Sequence, residues 1–458
     1  MLSLPIRSRG LFGIVAEYSS FLRKAEPALP FFMRSTPIPD GVSDRVRKIW
    51  NFGGENSLSK RPESEAKAIP DLSFDELKML LQKHTPETDA ALFRYSNSIA
   101  NQLFGNKCYV RALVEFSNVC RKNCKYCGIR KDMKGVRRYT IPDHELMALA
   151  KFAYENKFTS LVLQSGELGT ETRISWLCDM IKKIVKETND GLRIVISIGE
   201  LPHKDYKALF DAGARRTLTR IETSNPKLYA KLHPKDHSWQ ERVDVLKDQS
   251  AIGYMMGTGV MAGVPHQVPG DLANDILFLR DMKASMIGMG PWIPSPGTPL
   301  GDPFLAQMTR ITQRLEGRPW DRSDLKKWYN EDLLKQTLRM YACARIVCYD
   351  VNMAATTALE VISPTGRQQA LRAGCNIMMP NITPRKYRDG YEIYTKKAEV
   401  DGGGADTLIP VGTIARVDKV AAEGGRVVDW GVVKDPLHHL RKWGGHPPGL
   451  KGLTSASS

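Results

Sequence analysis

Short apolar runs recur through the middle of the chain, spaced by longer amphipathic stretches. Tyr109–Phe116, Ser160–Gln164, Leu192–Ser197, Arg216–Glu222, Gly257–Gly263, Met286–Met289, Asn352–Thr356 and Asn376–Met379 each read as a strand. Between them apolar residues return at helical spacing over 142–154, 173–187, from His203, near 225–232 and 238–250, and over 271–283, 331–347 and 367–373. Continuous apolar strands separated by helices predict a parallel sheet buried on both faces. Eight such units predict an α/β fold, a closed (β/α)8 barrel of the TIM type, with its site at the C-terminal ends of the strands. Upstream, Ser73 followed by Glu76 predicts a capped helix start, with helices filling 74–104.

Four segments break the pattern. Residues 1–35 carry Arg7, Arg9, Ser19, Ser20, Arg23, Lys24 and Arg34 against only Glu17 and Glu26, which predicts an organelle transit peptide. The expected destination is the mitochondrion or hydrogenosome matrix, with the plastid stroma as the alternative. Residues 36–69, rich in Pro, Gly, Ser and charge, read as a linker. Within the barrel region, 70–395, the stretch 301–330 with Trp320 and Trp328 reads as a surface insertion. Residues 396–458, with paired glycines and Pro447–Pro448, read as an irregular C-terminal tail.

Composition narrows the picture. At 42% hydrophobic residues the chain can bury a large core, yet no apolar run reaches the roughly 18–20 residues of a membrane span. The net charge of +16 is spread along the chain without a nucleic-acid-binding signature, so neither a membrane nor a nucleic acid is an expected partner. Of the eight cysteines, Cys108, Cys178, Cys343, Cys348 and Cys375 are scattered among apolar residues, as reduced core thiols are.

The other three, Cys120, Cys124 and Cys127, form a CxxxCxxC in the loop after the first strand. Three thiolates can hold three irons of a 4Fe–4S cluster and leave the fourth open to chelate a substrate, which a four-cysteine electron carrier cannot do. A zinc site would need a fourth Cys or His in a matching knuckle, and none is nearby. Further polar motifs sit at the ends of the following strands: Gln164-Ser165-Gly166-Glu167, Ser197-Ile198-Gly199-Glu200, Arg220-Ile221-Glu222, Thr356-Thr357 and Met378-Met379-Pro380-Asn381. A lone Ser-Gly-Glu is a common turn; its place at the strand end next to the cysteine loop gives it weight.

Taken together, CxxxCxxC within EFSNVCRKNCKYCGIR, and LQSGE, SIGE, ETSNPKLYAKLHP, GMGPWIPSPGTP, ATTALE and MMPNITP, resemble the radical S-adenosylmethionine enzymes. Within that superfamily they resemble the HydE family of FeFe hydrogenase maturases, with biotin synthase and methylornithine synthase as cousins. The resemblance spans roughly 70–395. It implies a radical S-adenosylmethionine barrel in which Cys120, Cys124 and Cys127 ligate one 4Fe–4S cluster and S-adenosylmethionine chelates the open iron. Tyr126 would pack along the adenine. Ser165, Gly166 and Glu167 would meet the methionine ammonium. Glu222 and Arg242 would hold the nucleoside and the carboxylate, with Arg220 beside them. Gln164, Arg216, Thr356, Thr357, Met379, Tyr391 and Tyr394 would face the substrate, Arg216 being better placed than Arg220 to meet an anionic or metal-cyanide group. Gly257, Gly259 and Gly263 would let the backbone approach the adenine.

The activity implied is generation of a 5′-deoxyadenosyl radical that attacks a small sulfur-containing, iron-bound precursor of the hydrogenase diiron subcluster. A reductant such as a ferredoxin, and the maturases HydF and HydG, are the implied partners. Some HydE proteins carry three more cysteines for an accessory cluster, whereas 376–458 contains none here. Two other readings stay open: radical chemistry on a free amino acid, as in methylornithine or biotin synthase, and a non-catalytic iron–sulfur scaffold.

Overall fold

The computed structural model describes residues 30–53, 66–313, 322–394 and 412–436. Twelve strands run in chain order: β1 (Lys107–Val110), β2 (Ala112–Ser117), β3 (Ser160–Ser165), β4 (Arg193–Ser197), β5 (Ala214–Leu218), β6 (Met255–Thr258), β7 (Met261–Ala262), β8 (Met286–Ile287), β9 (Gly290–Pro291), β10 (Asn352–Met353), β11 (Ile377–Met378) and β12 (Val427–Val428). Seven lie parallel in the order β10-β8-β6-β5-β4-β3-β2. The circle is closed by β11, which pairs parallel with β1 and is bridged to Ala354 on one side, while Asn381 just beyond it bridges to Leu113. This is the eight-stranded barrel expected from the apolar runs, with β1 and β2 forming one path through the wall, interrupted at Arg111.

The helices follow the spacing of apolar residues. Ser73 caps the helix Phe74–Leu81 in a reciprocal capping box with Glu76. Thr170, Asn225 and Ser238 cap the helices beginning at Glu171, Pro226 and Trp239 through their side-chain oxygens. Inside the barrel, Leu113, Val162, Val195, Leu218, Met286, Ala354 and Ile377 form an apolar plug. Each such side chain contributes about 1.5–3 kcal/mol when withdrawn from water. The functional end lies above this layer.

Outside the barrel the structure departs from the sequence reading in three places. The expected linker contains a helix, Asp44–Trp50, whose Val46 and Ile49 are fully buried. The expected surface insertion begins with a helix, Gly301–Gln313, and runs into the long helix Arg322–Cys348. Phe304, Ile311, Leu325 and Tyr329 pack there with Trp292, Phe32 and Met33 into a second core. The segment carries many charges in sequence, but Phe304, Ile311, Leu325 and Tyr329 among its described residues are withdrawn from water. Because Phe32 and Met33 belong to that core, residues 30–35 are part of the folded body; the leader expected through residue 35 otherwise lies outside the described residues.

The largest difference is the C-terminal segment. It forms a helix, Thr413–Glu423, and β12 adds to the outer side of β1 with Lys107 opposite Val427. Arg426 donates to Asn97, Asn101 and the Gly105 carbonyl. Trp430 packs edge-on against Phe158 at 5.2 Å. Glycine-rich composition hid these anchors, whose partners all lie far away in sequence. The remainder of the expected tail, 396–411 and 437–458, lies outside the described residues. No described helix is long and apolar enough to cross a membrane.

Candidate active site

The loop that carries the three cysteines leaves β2 and is tied by backbone bonds to the turn after β3, the end of the helix Pro226–Leu232 and the segment at Ile393. Arg121 N donates to Glu167 O (2.8 Å), Lys125 N to Leu232 O (2.9 Å), and Gly128 N to Ile393 O (3.0 Å). The loop roofs a cavity of about 270 Å³ at the C-terminal mouth of the barrel, lined by Cys120, Cys124 and Cys127. All eight cysteines are free, and four of the other five are buried, as core thiols should be. Burial pushes the three loop thiols up, Cys127 to about 12, and for Cys124 the adjacent Cys127 adds to the rise. Thiolates here need a positive partner. Among the described residues, no three His, Cys, Asp or Glu side chains converge on a point that would hold one metal ion.

Beside the thiols lies a corner of largely buried charges drawn from three loops and the helix Trp239–Ile252. Arg242 Nη2 donates to Glu167 Oε1 at 2.9 Å, and Arg242 Nε lies 2.6 Å from Glu200 Oε1 as an ion pair. The other Glu200 oxygen takes Lys122 Nζ at 2.5 Å, and the Glu200 amide donates to Glu167 Oε2 at 3.1 Å. Burial alone would raise the Glu167 carboxyl; the Arg242 charge, the Glu200 amide and Lys122 outweigh it and hold it below its ordinary range. Glu222, on the opposite wall, pairs with Arg220 at 3.0 Å. There burial wins over Arg220 and Arg242, and the carboxyl is raised. Glu222 also has a left-handed backbone, φ 66°, held by a parallel bridge to Val260. Such strain in a non-glycine residue clusters where a side chain must be aimed.

Tyr126, between the second and third cysteines, stands edge-on to His233, with its hydroxyl 3.3 Å from Nε2. His233 Nδ1 lies 2.9 Å from the Tyr229 carbonyl, which can only accept, so Nδ1 carries the proton and Nε2 receives the Tyr126 hydroxyl. Burial takes the His233 pKa down to about 3, so the ring is neutral. Deeper in the cavity, Gln164 Nε2 donates to the Tyr391 hydroxyl at 3.4 Å, and Thr357 Oγ1 lies 3.1 Å from the Tyr394 hydroxyl. Thr356 and Met379 complete that wall.

Of the catalytic, cofactor and metal positions expected from sequence, all but Arg216 line this one cavity. Arg216, Leu218 and Arg220 alternate onto the inner face of β5 and its extension, as the strand period dictates. Leu218 lies in the apolar plug, which leaves Arg220 above it and Arg216 below. Arg216 is bound at 2.6 Å by Asp435 and does not reach the cavity. Its expected part in meeting an anionic substrate is therefore corrected. The glycines 257, 259 and 263 are also outside the lining; a Cβ on Gly259 would fall 2.0 Å from the Gly288 carbonyl, so strand packing requires it. Lys122, Glu200, His233 and Trp292 went unnamed as site residues. Glu200 was visible in a strand-end motif, but nothing in the sequence pairs it with Arg242.

A family model of the radical SAM superfamily matches residues 114–279. The chain is 36% identical over 386 residues to the [FeFe] hydrogenase maturase subunit HydE of Thermotoga maritima, covering 84% of this chain and 97% of that protein. It belongs to the HydE family. Solved structures agree on the fold. Methylornithine synthase matches with a TM-score of 0.62 at 19% identity, over 80% of this chain and 95% of that one. The FeFe-hydrogenase maturase HydG from Carboxydothermus hydrogenoformans matches with a TM-score of 0.59 at 16% identity, over 93% and 86%. As a HydE-family member the chain is a radical S-adenosylmethionine enzyme, and its cofactors are a 4Fe–4S cluster and S-adenosylmethionine. In this HydE-family chain the matched region runs from β2 to the helix Pro269–Asp281, so it contains the cysteine loop and the whole charged corner.

Proposed function

We propose that this protein acts in FeFe hydrogenase active-site maturation, with Cys120, Cys124 and Cys127 holding one cluster and its fourth iron left for S-adenosylmethionine. The observation that carries the reading is the convergence of the three thiols, the Ser165–Glu167 turn and the Glu222 and Arg242 side chains on a single cavity, in a chain that matches a HydE protein over 97% of its length.

When bound and reduced, the cofactor pair supplies a 5′-deoxyadenosyl radical. The chain's own residues bind, orient and shield. Glu167, kept ionised by its neighbours, is ready to accept the N–H groups of the α-amine, and Arg242 offers a planar fork to a carboxylate. Tyr126, fixed by His233, presents its ring face along the nucleoside. Arg220 and Glu222 flank the sugar side. Gln164, Tyr391, Thr356, Thr357, Tyr394 and Met379 bound the space left for a small sulfur-containing, iron-bound substrate. Trp292 and Ile293 help keep water out. A ferredoxin-type reductant and the maturases HydF and HydG are the proposed partners, and an organelle matrix or stroma the proposed location.

Anaerobic protein with reconstituted cluster, given dithionite and S-adenosylmethionine, should yield methionine and 5′-deoxyadenosine. An intact cluster with no cleavage would overturn the reading.

A further inference from the structure

Four largely buried side chains, three from loops and Arg242 from the helix Trp239–Ile252, form a charge-balanced chain: Lys122, Glu200, Arg242 and Glu167. Two cations meet two carboxylates, and each contact is 2.5–2.9 Å. Burying four charges is costly unless the geometry is well matched, so a chain of this kind marks a place where orientation matters. Glu200 is its hub. One oxygen faces Arg242 Nε, the other Lys122 Nζ, and its backbone amide holds Glu167. Lys122 lies two residues beyond Cys120, and its own amide donates to the Cys120 sulfur at 3.4 Å. Glu200 thus touches, at once, the cysteine loop, the arginine and the acid.

We infer that Glu200 is the positioning residue for the amino-acid end of the cofactor. This deepens the function proposed above and rests on it. In the structure Arg242 faces two carboxylates, Glu167 through Nη2 and Glu200 through Nε, so an incoming carboxylate competes with Glu167 for the Nη edge. An α-amino acid that chelates the open iron through its amine nitrogen still offers amine N–H groups to Glu167 and a carboxylate to Arg242, so Arg242 and Glu167 part in a single exchange of partners. Arg242 stays in place through it only because Glu200 holds Nε from the far side, leaving Nη2 to turn from Glu167 to the ligand. Lys122 in turn keeps Glu200 from following the ligand, and so links the aim of Arg242 to the cysteine loop.

The test compares two ligands on cluster-loaded protein. S-adenosylmethionine carries the amino-acid end; 5′-methylthioadenosine lacks it. In Glu200→Gln the amide nitrogen must face either Arg242 or Lys122. S-adenosylmethionine should then bind about ten-fold more weakly or worse, the size of one charge-assisted hydrogen bond, while methylthioadenosine affinity and iron content of the folded protein stay near wild type. Lys122→Met should give a smaller loss with the same selectivity, and Lys122→Arg should restore it. Equal weakening for both ligands, or no weakening in either variant, would overturn the inference. If Glu200→Gln does not fold, the Lys122 pair decides alone. Wild-type protein that binds neither ligand would instead contradict the underlying function.

Discussion

Asp435 reaches across the floor of the barrel to bind Arg216 at 2.6 Å, two residues that stand 219 positions apart in the chain. The same carboxylate takes Arg193 at 3.1 Å, and Arg111 is buried close by. Burial would raise the Asp435 carboxyl, but Arg216 and Arg193 outweigh it and hold it below its ordinary value. One acid from the C-terminal segment thereby ion-pairs with two arginines that point inward from β4 and β5, beside a third at the break between β1 and β2.

Asp435→Asn should destabilise the protein by about 3–5 kcal/mol, because it leaves buried guanidinium charge uncompensated. Chemical denaturation checks the size. Limited proteolysis should show 412–436 released before the barrel unfolds.

The same pair sets an acid limit. A carboxyl whose folded pKa is depressed contributes stability that is complete above its unfolded value, 3.8, and is lost as pH falls through the lower folded one. Wild-type stability should therefore fall below about pH 4 more steeply than that of Asp435→Asn. Parallel slopes from pH 5 to pH 2 would show that Asp435 does not titrate with folding.

Gly166→Ala should lower iron content without unfolding the barrel. A Cβ at this position would lie 2.6 Å from the Val119 carbonyl and 2.7 Å from Cys120 Cβ, so it pushes directly on the cysteine loop. Iron analysis beside circular dichroism separates the two effects.

Glu222→Gly should relieve a left-handed backbone and leave stability unchanged or raised by about 1 kcal/mol. It should weaken nucleoside binding at the same time. A fall in both would mean that Glu222 serves the fold through Arg220 rather than the ligand.

The barrel was legible because each strand is a short apolar run and each helix keeps its period. The cavity was legible because function on this fold gathers at strand ends, so a motif after each strand could be placed without coordinates. What escaped has a common cause. Alternation along β5 shows that Arg216 and Arg220 both point inward, but their level relative to the Leu218 layer depends on where the plug lies. Asp435, Arg426 and Trp430 sit in a glycine-rich segment whose partners are hundreds of residues away. Lys122 and Glu200 are ordinary charges until the fold brings them to Arg242. Local pattern encodes elements; long-range charge pairing does not show in it.

One variant separates ligand from scaffold at the cluster. Cys124→Ala should lose the cluster's iron and keep the folded barrel, since the loop lies at the mouth and outside the apolar plug. Full iron content in that variant would remove Cys124 from the ligand set.

The most direct test is electron–nuclear double resonance on the reduced, reconstituted protein with S-adenosylmethionine labelled with ¹⁵N at the amino group and ¹⁷O at the carboxylate. The expected result is hyperfine coupling from both labels to the cluster, which places the amino-acid end on the open iron. An intact cluster whose spectrum shows neither coupling, and does not change on addition of the labelled compound, would contradict the account.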